Sequence, residues 1–320
     1  WSSRRPAARV ARFLERPAVD PAAEETARTV LADIRKRGDA AVRAWMKRFE
    51  GSAGRGDLRV SDETIAAACR AVEPGFKRAA REAHGRIRAF AKAGRRTDWR
   101  IRDGAGAELG ERFVPYERVG VYVPGGAAPL ASTVLMTVTL ARAAGVPEIV
   151  ACTPGGSDGS VNPCILYALR LAGATAVYRV GGIQAIGMMA YGTATVRKVQ
   201  KIVGPGGAYV TAAKRLVYGE VALDLVAGPS EIAILADETA APECVAADLL
   251  SQIEHGTGHE KAMLVTNSNT LATGVRTELF RQLEKLSRRE LILKGLERGT
   301  LLVVVNTLDD GMDLCNQFAP

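Results

Sequence analysis

The sequence predicts an α/β protein: two α/β/α modules with parallel sheets, preceded by a helical N-terminal region. Three observations predict it. From Gly120 onward, short apolar runs alternate with stretches of helical length. Strands joined by helical crossovers of this length imply a parallel sheet covered on both faces. The alternation runs to Val226 and restarts after Glu231 as a second set. Before Gly120 the apolar residues recur mainly at helical spacing instead.

Residues 1–17 read as an arm that needs a docking surface to become ordered. Residues 24–49 read as a long amphipathic helix. Its apolar positions Val30, Ile34, Val42, Trp45 and Met46 keep a helical period only if the helix breaks near Gly38. Ser61 caps the next helix, with Glu63 in the first turn, where the helix dipole favours an acid. A third helix runs from about Pro74 to Ala93 and carries His84 as a surface or packing residue. Residues 100–114 form a hairpin around Gly104 and Gly106. Strands follow at 120–123, 148–152, 176–180, 198–203 and 221–226, with helices at 131–144, 163–171, 183–191 and 208–218. The second set has strands at 232–235, 262–266 and 301–305, and helices at 242–255 and 270–286.

Composition removes several classes of function. No apolar run approaches the roughly 18 residues of a membrane span, so no membrane partner is expected. The five cysteines, Cys69, Cys152, Cys164, Cys244 and Cys315, are scattered and odd in number. That pattern fits reduced thiols in a cytoplasm, not a disulfide framework. The net charge of +8 is concentrated early, in Arg4, Arg5, Arg9, Arg12, Arg35, Lys36, Arg37, Arg86, Arg88, Arg95 and Arg96. These residues are interleaved with alanines and acids, and no aromatic stacking motif accompanies them. A solvated helical surface is favoured over nucleic-acid binding.

Two features carry chemistry. The first is a set of glycine turns at strand C-terminal ends: Pro124-Gly125-Gly126, Gly181-Gly182 and Gly204-Pro205-Gly206-Gly207. No G-x-G-x-x-G follows the first strand, so the standard dinucleotide fingerprint is absent. Glycine turns of this kind bring backbone N–H groups and helix N-termini close to a phosphate. Tight βα turns need the same glycines without any ligand, so both readings stand at this point. The second feature is the run Asp224 to Glu231, followed by Asp248 to His255. Gln252 and His255 are three apart and share a helix face. An amide oxygen and a neutral imidazole can both ligate a divalent metal. By itself this spacing more often marks a solvated or capping helix end. His259 follows four residues later, but Gly256 and Gly258 interrupt the helix, which makes it a loop histidine.

The run Ala227-Gly228-Pro229-Ser230-Glu231, followed by Ser251-Gln252-Ile253-Glu254-His255, resembles the signature of the histidinol dehydrogenase family. The motifs Gly120-Val121-Tyr122-Val123-Pro124-Gly125-Gly126, Val180-Gly181-Gly182-Ile183-Gln184-Ala185-Ile186 and Lys201-Ile202-Val203-Gly204-Pro205-Gly206 fall in the family's order. The resemblance runs from about Ala27 to Pro320. It implies oxidation of the small molecule L-histidinol to L-histidine through an aldehyde, in two NAD-dependent steps with zinc. It implies two Rossmann-like modules, of which the first is an incomplete dinucleotide fold contacting NAD through Tyr122 and Gln184. Gly207 stands where the family has Asn, which removes one hydrogen bond to the cofactor. Gln252 and His255 match two of four zinc ligands, and Ser230, Gln252 and His255 match substrate-side residues. Ile253 replaces the family's Ala or Ser, and its side chain is expected to point away from the Gln252 and His255 face, changing packing only.

The resemblance also divides the chain. The division is an arm at 1–17, a discontinuous catalytic domain of 18–121 and 230–320, an inserted NAD domain of 122–229, and assembly as a homodimer. The segment Cys315-Asn316-Gln317-Phe318-Ala319-Pro320 resembles the stretch that leads into the family's catalytic Glu-His pair. The pair is therefore expected just after Pro320, with the chain truncated at both ends. Loss of a general base costs roughly 10²–10⁴-fold, so the 320 residues alone are expected to lack dehydrogenase activity. Two rival readings remain. A paralogue could oxidise another small amino alcohol or diol, motivated by Gly207 and Ile253. The chain could also be a non-catalytic nucleotide-binding module.

Overall fold

The structure is a computed structural model and describes residues 8–15, 20–50, 56–125, 130–226, 230–254 and 260–320. The chain divides into two compact units, residues 19–226 and residues 1–18 with 227–320. The first helix, α1 (Ala8–Leu14), belongs to the smaller unit.

The larger unit opens with α2 (Pro21–Arg37) and α3 (Asp39–Glu50). Asp20 caps α2 by accepting from the Ala22 and Ala23 N–H groups, and Pro21 pre-sets the first helical turn. The break expected near Gly38 is present: Gly38 has φ +55°, a conformation that only glycine adopts without strain. The Trp45 indole N–H donates to Asp33 at 2.8 Å and pins α3 to α2. The next helices are α4 (Asp62–Ala71), capped by the Ser61 hydroxyl, and α5 (Pro74–Ala93). Strands β1 (Trp99–Arg102) and β2 (Glu108–Glu111) form the expected antiparallel hairpin. Asp103 accepts from the Ala105 and Ala107 N–H groups inside its turn.

The alternating part follows. Its elements are β3 (Arg118–Tyr122), α6 (Ala131–Ala143), β4 (Glu148–Thr153), α7 (Pro163–Ala172), β5 (Ala176–Arg179), α8 (Gly182–Tyr191), β6 (Lys201–Val203), α9 (Ala208–Leu216) and β7 (Ala222–Leu223). The five strands form one parallel sheet in the order β5-β4-β3-β6-β7. The chain builds outward from β3 to β5, then returns to the other side of β3. The two halves of the path use opposite faces. Helices α6 and α7 pack with α4 and α5 around Val121, Val134, Ile149 and Leu166. Helices α8 and α9 pack with α2 and α3 around Val30, Ile34, Ile186 and Ile202.

This arrangement corrects the expected division. Residues 20–121 pack with 130–226 as one compact unit. The reason is that β3 is the central strand, so a boundary at residue 121 would cut it. The apolar faces of α2 to α5 have that sheet to bury against. Two strands are also shorter than expected. The stretch 198–200 is irregular: the Gln200 side chain accepts from the Glu117 N–H at 2.6 Å, and the Val199 N–H donates to the Met189 carbonyl. The last strand is confined to Ala222–Leu223.

The smaller unit contains β8 (Glu231–Ala236), α10 (Pro242–Ile253), β9 (Lys261–Thr266), α11 (Asn269–Leu283), α12 (Arg289–Gly299), β10 (Thr300–Val304) and α13 (Leu308–Phe318). Its parallel sheet has the order β10-β9-β8. Helices α10, α11 and α12 bury one face around Leu249, Leu264, Val275 and Ile292. Helices α13 and α1 bury the other around Val265, Val303, Leu314 and Phe318. The described part of the N-terminal arm, 8–15, thus has its docking surface: Phe13 packs on Phe318 with ring centroids 5.5 Å apart. The Lys261 ammonium, on β9, donates to the Phe13 carbonyl and, at 2.6 Å, to the Glu15 carbonyl. Among the described residues no helix is long and apolar enough to cross a membrane.

The lysine is therefore the polar fastening of α1. Lys261→Met keeps the aliphatic stem and removes the donors. Amide hydrogen exchange at residues 8–15 is expected to rise at least tenfold while the β9 core stays protected. Unchanged exchange in that segment would show that apolar packing alone holds it.

Candidate functional site

Tyr122 ends β3, the strand at which the chain reverses direction across the sheet. In open parallel sheets the crevice beyond the strand C-termini at such a reversal is the usual ligand position. Three chain segments meet here. The Gly182 N–H, at the start of α8, donates to the Tyr122 hydroxyl at 3.2 Å. Gly182 has φ +56°, and a Cβ there would lie 2.9 Å from the Gln184 amide oxygen. Gly204, just after β6, has φ +120°, and a Cβ there would overlap the Tyr122 carbonyl oxygen. Glycine is thus required at 204 by close backbone approach and favoured at 182 by its left-handed φ. Gly126 and the rest of 126–129 lie outside the described residues.

The helices that leave this edge differ at their first turns. Helix α7 is capped by Asn162, which accepts from the Cys164 N–H at 2.9 Å. Helices α6, α8 and α9 have no side-chain cap, their N-cap residues being Leu130, Gly181 and Gly207. Among the described residues the leading N–H groups of α6 and α9 have no side-chain acceptor and, with the positive ends of the helix dipoles, face an anion position, whereas the first N–H of α8 is given to Tyr122. The sequence-predicted cofactor residues fall into two groups. Tyr122 and Gln184 come together through Gly182, and both are buried, at 4 % and 2 % exposure. Gly207 lies apart from them at the N-cap of α9, with open space where a side chain would go.

Sequence reasoning missed Lys214 and its pairing with Asp224. Lys214 is 3 % exposed on α9, and its ammonium donates to the Gly204 carbonyl at 2.8 Å and to Asp224. Asp224 in turn accepts from the Gly204 N–H at 2.8 Å. Burial works against the Asp224 carboxylate, yet Lys214 and the Gly204 and Leu225 N–H groups hold its pKa below the ordinary value. The available signal was a lysine among Val210, Ala213 and Val217 on an apolar helix face.

The residues expected on the substrate side, Ser230 and Gln252, lie in the smaller unit. Gln252 sits in the last turn of α10, and its Nε2 donates to the Ser230 carbonyl at 2.7 Å. That bond makes the nitrogen the donor end and leaves the lone pairs of the amide on Oε1, the atom a cation takes. Ser230 is exposed just before β8. Helix α10 ends at Ile253 with Glu254 as its C-cap. His255 and His259 lie outside the described residues, as do Ala227, Gly228 and Pro229. Among the described residues no group of three or more His, Cys, Asp or Glu gathers to hold a metal. Gln252 therefore fits one ligand position of a site that needs more donors. Ile253 is fully buried in the core and touches Gly295 of α12, as expected for a packing change. It gives no support to a changed substrate.

A groove of about 670 Å³ lies at the opposite, N-terminal edge of the five-stranded sheet. Its walls are already paired, Arg118 with Glu148 at 2.7 Å and Glu220 with Arg35.

The architecture is that of a doubly wound α/β protein with a glycine-lined crevice at the reversal of strand order. Comparison with known proteins is specific. The family model for histidinol dehydrogenase matches residues 14–320. Histidinol dehydrogenase of Heliobacterium mobile is 46% identical over 292 residues, covering 91% of this chain and 68% of that protein. The Geobacillus kaustophilus protein of the same name is 44% identical over 308 residues, 95% of this chain and 72% of that one. The crystal structure of histidinol dehydrogenase from Elizabethkingia anophelis superposes with a TM-score of 0.91 at 36% identity, covering 99% of this chain and 73% of that one. The chain belongs to the histidinol dehydrogenase family.

Two glycines of the α9 approach should respond oppositely. Gly207→Asn should give α9 the side-chain cap it lacks and stabilise the protein by a few tenths of a kcal/mol. Gly204→Ala should destabilise it by about 2 kcal/mol or more, from left-handed strain plus the overlap with Tyr122. Denaturant titration checks both, and a stabilised Gly204→Ala would contradict the described turn.

Proposed function

We propose that the protein oxidises L-histidinol to L-histidine through the aldehyde, in histidine biosynthesis, with NAD as hydride acceptor and zinc at the substrate alcohol. Family membership supports the reaction, and the crevice between β3 and β6 is the observation that carries the cofactor half. Helices α6 and α9 offer backbone N–H groups for a pyrophosphate at that edge, and α8 adds the positive end of its dipole. Tyr122 shapes the wall by accepting from Gly182, and Gln184 folds over the same turn. The backbone, more than these buried side chains, does the binding.

On the substrate side, Ser230 offers a hydroxyl to a polar substrate, and its carbonyl orients the Gln252 amide. His255 is proposed beside Gln252 as the second zinc ligand of this chain. Zinc, when bound, supplies a positive charge that polarises the alcohol oxygen. Five free cysteines support a reducing compartment, and we place the protein in the cytoplasm, as a homodimer.

The full-length protein is expected to form NADH from L-histidinol, to stop on chelation and to recover with Zn²⁺. His255→Ala and Gln252→Ala should each weaken zinc binding at least tenfold. Failure of histidinol to reduce NAD, with another amino alcohol active, would shift the substrate.

Tyr122 needs a gentler substitution than alanine, because truncating a buried tyrosine opens a cavity and destabilises by several kcal/mol. Tyr122→Phe removes only the hydroxyl and should weaken NAD binding by about 1 kcal/mol, as should Gln184→Ala. Calorimetric titration with NAD measures both, and unaltered affinity in the pair would remove these residues from the cofactor site.

A further inference from the structure

We propose that Lys214 and Asp224 are positioning residues of the crevice: this ion pair holds the Gly204 turn, and with it the α9 N-terminus, in place against Tyr122. The inference rests on the reading of the crevice as the NAD site and extends it to residues that do not touch the cofactor.

Both polar backbone atoms of Gly204 belong to the pair. Its carbonyl accepts from the Lys214 ammonium at 2.8 Å, and its N–H donates to Asp224 at 2.8 Å. The two side chains also bond each other, and the Leu225 N–H donates to the lysine-bound oxygen of Asp224. The turn is thereby clamped from both sides. Lys214 comes from α9, the helix that the turn itself starts, and Asp224 comes from the end of β7. Three neighbouring pieces of the crevice edge are tied at one residue.

The need for a clamp follows from the backbone. Gly204 at φ +120° lies in a region that glycine enters freely and leaves as freely. Packing cannot hold it, since it has no side chain. Yet its position is tightly bounded, because the β6 end runs against the Tyr122 carbonyl. Hydrogen bonds to its own N–H and carbonyl are the remaining means of fixing it. Gly207, three residues on, begins α9 with unshared N–H groups, so any shift of Gly204 moves the anion-facing end of that helix.

A purely stabilising role explains the pair less well. An ion pair with one buried and one partly exposed member is a weak stabiliser, and well-packed apolar replacements of the buried member are often neutral or better. Methionine at 214 would fill much the same volume without an ammonium to desolvate. Nor is Lys214 a direct phosphate ligand: it is 3 % exposed, and its donors point to Gly204 and Asp224. What the pair does, and an apolar side chain cannot, is hold two specified backbone atoms.

The test titrates NAD into the full-length protein and into Lys214→Met, Asp224→Asn and the double variant. Arg118→Met is the control, because it breaks a comparably buried pair, with Glu148, at the opposite edge of the same sheet. Each single variant should raise the Kd for NAD about tenfold. The double variant should do little more, since the two groups act as one unit. Arg118→Met should leave Kd within about twofold while lowering thermal stability. The Gly204 amide proton resonance should shift in both single variants. Should Lys214→Met fail to fold, the half-exposed Asp224→Asn carries the test alone. Unaltered Kd in the folded variants would overturn the positioning role and leave the cofactor reading intact. So would an equal loss in Arg118→Met. No NAD binding by the unsubstituted protein would instead overturn the cofactor reading, and this inference with it.

Discussion

Gly204 meets the Tyr122 backbone where the path of the chain turns back across β3, and much of the larger unit follows from that meeting. Helical crossovers between parallel strands keep one hand, so strands added on opposite sides of β3 send their helices to opposite faces. Helices α6 and α7 therefore cover one face, and α8 and α9 the other. Each pair exposes an apolar outer surface, and the N-terminal helices are divided between them, α2 and α3 to one and α4 and α5 to the other. The same reversal sets the C-terminal ends of β3 and β6 side by side at the crevice.

The alternation of Val- and Ile-rich runs with helical stretches was legible in the sequence, and so were individual boundaries. The break at Gly38, the Ser61 cap, the start at Pro74 and the hairpin turn at 103–107 all rest on local chemistry that the residues themselves display. Partnership between distant elements was not legible. Nothing local distinguishes a helix face that buries against β3 to β7 from one that buries against β8 to β10. The expected boundary at residue 121 therefore fell in the middle of a sheet. Helix α12 was hidden for a different reason. Gly295 and Gly299 argue against a helix by propensity, but they make room for Ile253 and the Glu260 carbonyl. Tertiary contact outweighed intrinsic preference there.

At the site, residue types and turns were legible while orientation was not. Tyr122 and Gln184 proved to be buried wall groups linked through Gly182. The Gln252 amide was a candidate ligand by type, and its bond to the Ser230 carbonyl is what distinguishes its oxygen from its nitrogen. The pairing of Lys214 with Asp224 was not legible, although Asp224 opens the run before Ser230, because a lysine and an aspartate ten positions apart form no motif. Charge density misleads in the other direction. Several of the early arginines are engaged with acids, Arg37 with Asp33, Arg35 with Glu220 and Arg86 with Glu82. Such exposed pairs add little stability each.

The fastening of α1 by Lys261 has a temporal side. The two ends of that contact lie 248 residues apart in sequence. At ribosomal rates of about 5–20 residues per second, α1 emerges roughly 12–50 seconds before its lysine exists. During that interval Val10, Phe13 and Leu14 have no β9 or α13 to bury against. The larger unit can complete its sheet as Leu223 leaves the ribosome, while the beginning of the chain waits as an apolar tether. Assembly of the smaller unit is thus a loop-closing event across the whole length of its neighbour, with a kinetic schedule set by translation.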